Sequence, residues 1–299
     1  MENILLHNNN GSVQFDTEKI NGVVRWTNEQ IKYIIDQYLH ANISVRAIAK
    51  QFDRSETSIR TVLKHNNVKI RSGRLGRNSS YFENIDTRDK AYWLGIMYSD
   101  GCVYQRPDGS YAVTLEMIDK EHVEKFRDAL NAEHKVSTVH HKHFNNAQLS
   151  YVLCIYDNKM AADLIALGCV PKKSLNLSAL PNIPREFMYD FIRGFVDGDG
   201  CICYNQSSDS YVFKLTGASP LFLKEIMKML GMDRLSLNQC TKTSYQVTNG
   251  KRDDVYRILT KLYEYSTEVT RLDRKYNKYQ EFVQWYNIKT SNKGPKKEK

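Results

Sequence analysis

The sequence lacks any apolar run long enough to cross a membrane, which takes about 18 consecutive residues. Residues 1–24 are polar, contain Asp and Glu, and lack the basic-then-apolar order of a secretory signal peptide. These absences argue against a membrane partner and predict a soluble, intracellular protein, in a bacterial or phage-host cytoplasm or in an organelle. With 299 residues, the chain has the length of about two domains.

The six cysteines show no CxxC spacing, so the sequence gives no indication of a zinc site. An intracellular chain would keep them reduced, and we expect them to be small core residues. Residues 140–143 are rich in histidine, but they lie between two strand-like segments without nearby Cys or acidic partners. A polar hairpin is therefore a better interpretation of this segment than a metal site.

The net charge of +9 indicates an anionic partner, and its distribution is uneven. Residues 23–80 hold 11 Lys or Arg against 4 Asp or Glu, and residues 289–299 hold 5 against 1. Residues 81–288 hold 26 of each sign. The flanking segments are therefore expected to contact a polyanion directly, whereas the central region can do so only if its charges are segregated onto one face. Nucleic acid fits this distribution best.

Residues 24–68 are predicted to form an all-α helix-turn-helix domain. Thr27, Ser44 and Ser55 are typical N-cap residues, and each precedes a segment with apolar residues at helical spacing. The alternative is an ordinary three-helix bundle with solvated charges, which the excess of basic residues makes less favourable. Five polar residues are expected to lie on the outer face of the third helix and to face the DNA groove: Arg54, Glu56, Thr57, Arg60 and Lys64.

Residues 69–80 are predicted to be an extended basic linker, because they combine glycines with spaced arginines. Arg71, Arg74 and Arg77 are expected to set affinity and salt dependence more than sequence choice. A solvated tether is the alternative. Residues 1–23 are expected to be a flexible extension and residues 289–299 a basic tail.

Two segments repeat each other's chemistry: Trp93–Gly101 (WLGIMYSDG) and Ile192–Gly200 (IRGFVDGDG). Each predicts a helix with a central glycine that lets a neighbouring helix approach closely, and each ends in an Asp-Gly that could leave the helix through the left-handed conformation. The two terminal acids, Asp100 and Asp199, lie 99 residues apart, and Tyr111 and Leu115 recur as Tyr211 and Leu215. The chain therefore contains an internal duplication.

At these residues the sequence resembles the LAGLIDADG homing endonuclease family, in its single-chain form with two motif copies. The resemblance covers residues 81–288 and includes Pro181–Arg185 and Leu272–Tyr276. It implies an α+β fold in which two pseudo-symmetric αββαββα units form a β-saddle over duplex DNA, with the motif helices packed along the pseudo-dyad. The first of these repeats is predicted to span residues 81–180, and the second repeat is predicted to span residues 181–288. Strand-like alternation after each motif is compatible with this fold.

The first copy departs from the family pattern at Trp93 and Leu94, and it has Tyr98 where the second copy has Asp197. Asp197 could support Asp199 or cap local backbone, and because it lacks an equivalent we leave it out of the catalytic pair. Only the last acid of each motif is expected to be catalytic.

The resemblance implies that Asp100 and Asp199 are catalytic metal ligands, and the glycines that follow them, Gly101 and Gly200, are included in the predicted metal site. Carboxylate oxygens suit Mg²⁺, with Mn²⁺ as a second possibility. Family members often place a basic residue late in each repeat, and Lys251 is the nearest match, although a solvated lysine at a helix start is an equal alternative. Lys159 lies at a comparable but not matching place in the first repeat.

The polar face of the strands is expected to read the major groove of DNA. The residues assigned to this face are Gln105, Arg106, Thr114, His141, His143, Gln148, Asn205, Gln206, Lys214, Gln239, Lys242 and Gln246.

The sequence thus predicts a monomeric, site-specific endonuclease that makes metal-dependent double-strand breaks in a long DNA target and, by resemblance, leaves short 3′ overhangs. Intron-encoded and free-standing enzymes both fit, since no intein splicing signature is present. A non-cleaving transcriptional regulator on the same fold and an RNA maturase are the alternatives. The retention of both acids argues against the regulator, and the predicted helix-turn-helix favours duplex DNA over RNA, whose deep groove excludes a reading helix. A nickase remains open because the motifs differ.

Overall fold

The computed structural model describes residues 18–20, 23–41, 43–68, 70, 75–141, 148–171, 173 and 177–291. They fall into two compact units. The first spans residues 1–77 and 131–133, and the second spans residues 78–130 and 134–299. Within the described residues, no helix combines the length and apolar character that crossing a membrane requires.

The first unit contains a short antiparallel hairpin and three helices. The hairpin comprises β1 (Glu18–Ile20) and β2 (Val23–Arg25), within and beside a segment that was expected to be a flexible extension. The helices are α1 (Asn28–Leu39), α2 (Val45–Gln51) and α3 (Glu56–His65).

Each of these three helices begins directly after the residue that was predicted to be its N-cap. The hydroxyl oxygens of Thr27, Ser44 and Ser55 each accept a hydrogen bond from a backbone N–H two or three residues into the helix. The helices enclose a small apolar core that includes Ile34, Tyr38, Ile48, Ile59 and Leu63. The three helices and their caps are as expected from the sequence, while a role in DNA recognition stays a prediction.

The second unit contains two copies of the same succession of elements. The first copy is α4 (Arg88–Ser99), β3 (Gly101–Gln105), β4 (Tyr111–Met117), α5 (Lys120–Ala129), β5 (Ser137–His141), β6 (Gln148–Tyr156) and α6 (Asn158–Ala166). The second, preceded by a 3-10 turn (Arg185–Phe187), is α7 (Met188–Asp199), β7 (Gly200–Asn205), β8 (Ser210–Gly217), α8 (Pro220–Met229), β9 (Leu237–Thr241), β10 (Ser244–Asn249) and α9 (Arg252–Tyr263). The expected αββαββα order is therefore present twice.

The strands form two four-stranded antiparallel sheets with matching topology. Their orders are β3-β4-β6-β5 and β7-β8-β10-β9. In each sheet the glycine after the motif acid pairs with an equivalent leucine, Gly101 with Leu115 and Gly200 with Leu215. These leucines are buried on the inner face, so the residue after each, Glu116 or Thr216, points to the outer face.

The motif helices α4 and α7 are packed so closely that their main-chain atoms are in contact. A Cβ added to Gly95 would lie 2.8 Å from Phe195 N and 3.0 Å from Gly194 Cα, and one added to Gly194 would lie 2.9 Å from Ile96 N. Since backbone atoms cannot rotate away as side chains do, glycine is required at both positions. Every residue of α4 from Ala91 to Tyr98 is buried, as expected for a helix covered on all sides.

The expectation that the motif helices end in the left-handed conformation was wrong. Asp100 has φ −95° and Gly200 has φ −87° with ψ 166°, so the chain passes from helix into strand through ordinary backbone regions. Glycine is instead required by contact, because a Cβ at Gly101 would lie 2.6 Å from Met97 Cα and one at Gly200 would lie 2.6 Å from Val196 O.

A long final helix, α10 (Asp273–Ser291), was not expected from the sequence. Its first turn contacts the first repeat: Asp273 pairs with Lys125 at 2.7 Å, and Arg274 Nε lies 2.9 Å from Asp119 Oδ2. Asp119 is the residue before α5, and its carboxylate makes no capping hydrogen bond with that helix. Further along, Trp285 Nε1 donates to Asp209 at the tip of the β7–β8 hairpin, at 2.8 Å.

The cysteines are less buried than expected. Cys169 is buried, whereas Cys102, Cys201 and Cys240 are exposed. Cys102 and Cys201 each follow a motif glycine on the outer face of a sheet, where neither packs into the core. The expectation that all six are core residues was wrong.

Replacing Gly95 with alanine should lower the free energy of unfolding by about 2–4 kcal/mol, because the new methyl group overlaps backbone that cannot move aside. Chemical denaturation of the whole chain measures this change. Gly250→Ala is the control, since a Cβ there meets only Val212 Cγ1 at 3.4 Å and should change stability by less than about 1 kcal/mol. Equal effects of the two variants would contradict the importance of the helix contact.

Candidate active site

Two carboxylates meet where the motif helices end. Asp100 follows the last residue of α4, and Asp199 is the last residue of α7. A Cβ on Gly198 would overlap Asp100 Oδ2 and Ser99 Oγ, so the end of α7 lies directly against the Asp100 carboxylate. The close approach of the two helices therefore brings one acid from each repeat to the same place.

Neither acid is in direct contact with a Lys or Arg side chain among the described residues. Within the described part of the chain, Asp100 accepts only from Ser99 Oγ, at 3.0 Å, and Asp199 makes no side-chain hydrogen bond or ion pair. Burial raises the pKa of Asp100. Burial, and secondarily the charge of Asp100, raise the pKa of Asp199 to about 7. Although the side chain of Asp199 is accessible to solvent, the surrounding protein is enough to disfavour its charged form.

Two buried lysines flank the acids in equivalent ways. Lys275 Nζ donates to Val196 O and Gly198 O, both at 2.9 Å, at the end of α7. Lys173 Nζ donates to Gly101 O and, at 3.4 Å, to Ser99 O at the end of α4. Each ammonium group thus lies at the negative end of a motif helix, where it also lowers the pKa values of both acids.

Neither lysine was predicted from the sequence to be a site residue. They lie 102 residues apart, close to the spacing of the duplication, and this repetition is the signal that could have identified them. Burial lowers the pKa of Lys275, which nearby Asp197 opposes. A lysine that is nearly inaccessible to solvent needs such neighbours, because an unpaired buried charge costs several kcal/mol, on the order of 3–5.

Asp197 supports the packing around the site. Its carboxylate is fully buried and accepts hydrogen bonds from Tyr92 OH at 2.8 Å, Tyr263 OH at 2.7 Å and Leu272 N at 2.8 Å. Burial raises its pKa despite these bonds. Asp197 therefore joins α7 to α4, to α9 and to the residue before α10.

The side chain of Lys251 interacts with a different group from those at the ends of the motif helices. It is the residue before α9, its side chain is 76% exposed, and its charged group pairs with Asp254 at 3.5 Å. Its catalytic role stays a prediction without support from these contacts, and Lys173 and Lys275 occupy the positions beside the acids. Gly101 was included in the predicted metal site, and its carbonyl oxygen accepts a hydrogen bond from Lys173.

The residues predicted for the polar sheet face are distributed over the outer faces of both sheets, and some of them lie in turns instead. Lys214 and Gln246 lie on the outer face of the second sheet, and Lys242 lies in the β9–β10 turn. Gln105 ends β3, and Arg106 follows it, pairing with Asp108 at 3.0 Å. His141 lies on the outer face of the first sheet; His143 lies outside the described residues.

In the first unit, four of the five predicted groove residues lie on α3, namely Glu56, Thr57, Arg60 and Lys64, and Glu56 pairs with Arg60 at 3.7 Å. Arg54 precedes the helix instead, with its guanidinium 5.6 Å from the centre of the Trp26 ring. Of the linker arginines, Arg77 is described and donates to Leu75 O at 3.1 Å. Arg71 and Arg74 lie outside the described residues.

Comparison with known proteins identifies a domain in the second repeat. Residues 186–275 match the family model described as a LAGLIDADG-like domain. An uncharacterized protein of Methanocaldococcus jannaschii is 23% identical over 232 residues, which cover 72% of this chain and 80% of that protein.

Solved LAGLIDADG homing endonucleases are similar in structure. I-GzeII in complex with its DNA target has a TM-score of 0.47 and 13% identity, and I-SmaMI bound to uncleaved DNA with calcium ions has 0.45 and 12%. I-AabMI bound to uncleaved DNA has 0.43 and 16%. Each alignment covers 67% of this chain and 91% of the other.

Replacing Asp199 with asparagine should raise the thermal stability of the metal-free protein at pH 8. Because the folded-state pKa of about 7 lies above the ordinary value of 3.8, ionisation destabilises the fold progressively between these pH values and fully above them. The gain in Tm over wild type, measured with EDTA, should disappear below about pH 4. A variant less stable than wild type at pH 8 would contradict the unfavourable charge.

Proposed function

We propose that this protein is a metal-dependent, site-specific endonuclease that cuts both strands of duplex DNA. The observation that carries the proposal is the meeting of Asp100 and Asp199 at the ends of two equivalent helices, with no described Lys or Arg side chain bound to either carboxylate. One acid from each of two pseudo-symmetric repeats suits a substrate with two equivalent strands. The LAGLIDADG-like domain matched by residues 186–275 agrees with nuclease chemistry.

The acids have the properties of a site for a hard divalent cation. Burial raises the pKa of both carboxyl groups, and the charge of Asp100 also raises that of Asp199, so a cation between or beside them would relieve an existing cost. No group of three or more His, Cys, Asp and Glu side chains in the described residues is arranged to hold a metal. Mg²⁺ fits this small ligand set, since it usually keeps several waters and takes further oxygens from phosphate.

A bound Mg²⁺ would supply a hydroxide for attack on the phosphodiester and would neutralise the leaving oxygen. The protein's own residues would hold and surround the reacting groups. Asp100 and Asp199 would fix the cation, while Lys173 and Lys275, held by main-chain carbonyls at the helix ends, would offset negative charge that accumulates near the acids. In this proposal Lys173 and Lys275, and not Lys251, are the basic residues that stabilise negative charge during the reaction.

DNA as the substrate is supported by the chemistry of both units. The outer faces of the sheets carry polar groups that can meet base edges, among them Lys214 and Gln246. The first unit presents Thr57, Arg60 and Lys64 on one exposed helix, which would extend the contacted length of DNA.

Asn substitutions of the two acids should abolish cleavage while leaving DNA binding largely intact, because Asn keeps the size of Asp and removes the charge that holds the cation. The substrate is a plasmid carrying the DNA that flanks the gene, with any inserted element removed. Wild type should linearise it with Mg²⁺ and not with EDTA, and Asp100→Asn/Asp199→Asn should be inactive. Cleavage by the double variant would overturn the assignment, and tight binding by wild type without cleavage would indicate a DNA-binding regulator.

Replacing Lys64 with glutamine should reduce the salt dependence of DNA binding. A lysine that contacts one phosphate contributes about 0.9 to the slope of log K against log salt concentration. Titrations at several salt concentrations measure this slope, and Lys32→Gln, on the exposed side of α1, is the matched control. An unchanged slope for Lys64→Gln would remove this part of α3 from the DNA interface.

A further inference from the structure

The outer face of the first sheet carries an acidic residue close to the acids at the helix ends. Glu116 points outward from β4, where it pairs with Val152 of β6. Among the described strand residues of this face, Glu116 is the only acid. The other residues are neutral or histidine, and they include Cys102, Tyr104, Thr114, Val139, His141 and Ser150. An acid facing DNA repels phosphate, so its presence calls for a compensating interaction.

Two neighbouring side chains fix one oxygen of Glu116. Ser150 Oγ donates to Oε1, and His141 Nε2 lies 2.6 Å from the same atom. His141 Nε2 is also 3.0 Å from Ser150 Oγ. Because a carboxylate only accepts hydrogen bonds, Nε2 must carry the hydrogen. The hydrogen bond from Ser150, and then that from His141, lower the pKa of Glu116 against the effect of its partial burial, so the group is ionised at neutral pH.

The second carboxylate oxygen remains available. Oε2 of Glu116 makes no hydrogen bond or ion pair with the residues that the structure describes. The side chain is 38% exposed. It lines an open hollow of about 510 Å³ whose wall also includes Asp100, Gly198 and Arg274. A base bound at this oxygen would therefore lie close to the candidate active site.

The second repeat has a different arrangement at the equivalent position. Thr216 replaces Glu116, and its hydroxyl accepts a hydrogen bond from Gln246 Nε2 at 3.2 Å. This pair is neutral and offers both donors and acceptors, whereas the cluster of Glu116, His141 and Ser150 presents a negatively charged acceptor. The two sheets therefore differ in hydrogen-bonding character at the same distance along the strand from the motif acids.

We propose that Glu116 is a specificity-determining residue that accepts a hydrogen bond from the N4 amino group of a cytosine in the major groove. His141 and Ser150 are its positioning residues. The inference rests on the proposed DNA-binding function. Of the four bases, guanine and thymine present acceptors in the major groove that repel a carboxylate, and adenine places its N7 acceptor beside its amino group. Cytosine presents a donor without that neighbouring acceptor.

The test is selection of bound duplexes from a randomised DNA pool, with calcium present, followed by affinity measurements on the selected sequence. Wild type should select cytosine at one position near the centre of the target. Changing that base pair should weaken binding about tenfold. For Glu116→Gln, the preference at this position alone should move to adenine, which glutamine contacts in a bidentate manner. Glu121→Gln, the same chemical change on an exposed part of α5, should leave every position unchanged.

His141 provides a test of the positioning role. His141→Ala should reduce discrimination at the same base position, and His141→Gln, which keeps a hydrogen-bond donor, should restore part of it. A purely structural role would change affinity for all sequences equally. Identical preferences in wild type and Glu116→Gln would overturn this proposal and leave the proposed function standing. Failure of wild type to select any sequence would overturn both.

Discussion

The contact between the backbones of α4 and α7 is the constraint on which the rest of the second unit depends. Gly95 and Gly194 let the two helices approach until main-chain atoms touch. Because the last residues of both helices lie near this contact, the same geometry that buries the helices also determines the separation of Asp100 and Asp199. A wider helix pair would relieve the repulsion between the acids and would also separate the two charges that can share a cation. The repulsion between the two acids is therefore a consequence of the close packing of α4 against α7.

The duplicated unit is symmetric in its backbone and asymmetric in its buried polar groups. Asp197 connects α7 to Tyr92, Tyr263 and Leu272. At the equivalent place, Tyr98 donates to Leu167 O and packs edge-on against Phe191. One helix is therefore fixed by a buried carboxylate and the other by an aromatic ring. In both cases a lysine lies at the end of the helix, beside its terminal acid.

Local signals in the sequence were sufficient to predict much of the fold. The N-caps at Thr27, Ser44 and Ser55 depend on residues within a few positions of each other, and the duplication predicted both sheets and the pairing of the acids. The aromatic residues Tyr279, Phe282 and Tyr286 repeat at helical spacing and could have predicted α10, which was missed. The lysines beside the acids could not be assigned by local pattern, since Lys173 and Lys275 acquire their role through contacts with distant main-chain carbonyls. The cluster at Glu116 likewise depends on three strands coming together.

The position of Lys275 has a consequence for the order in which the site is completed during synthesis. Asp100 and Asp199 leave the ribosome well before Leu272 and Lys275, which supply a hydrogen bond to Asp197 and the ammonium group at the end of α7. Asp273 and Arg274 also bind Lys125 and Asp119 of the first repeat. A nascent chain that already contains both acids therefore lacks the groups that fix them in place. The observed surroundings of the two acids can therefore be completed only after Leu272 and Lys275 have been synthesised.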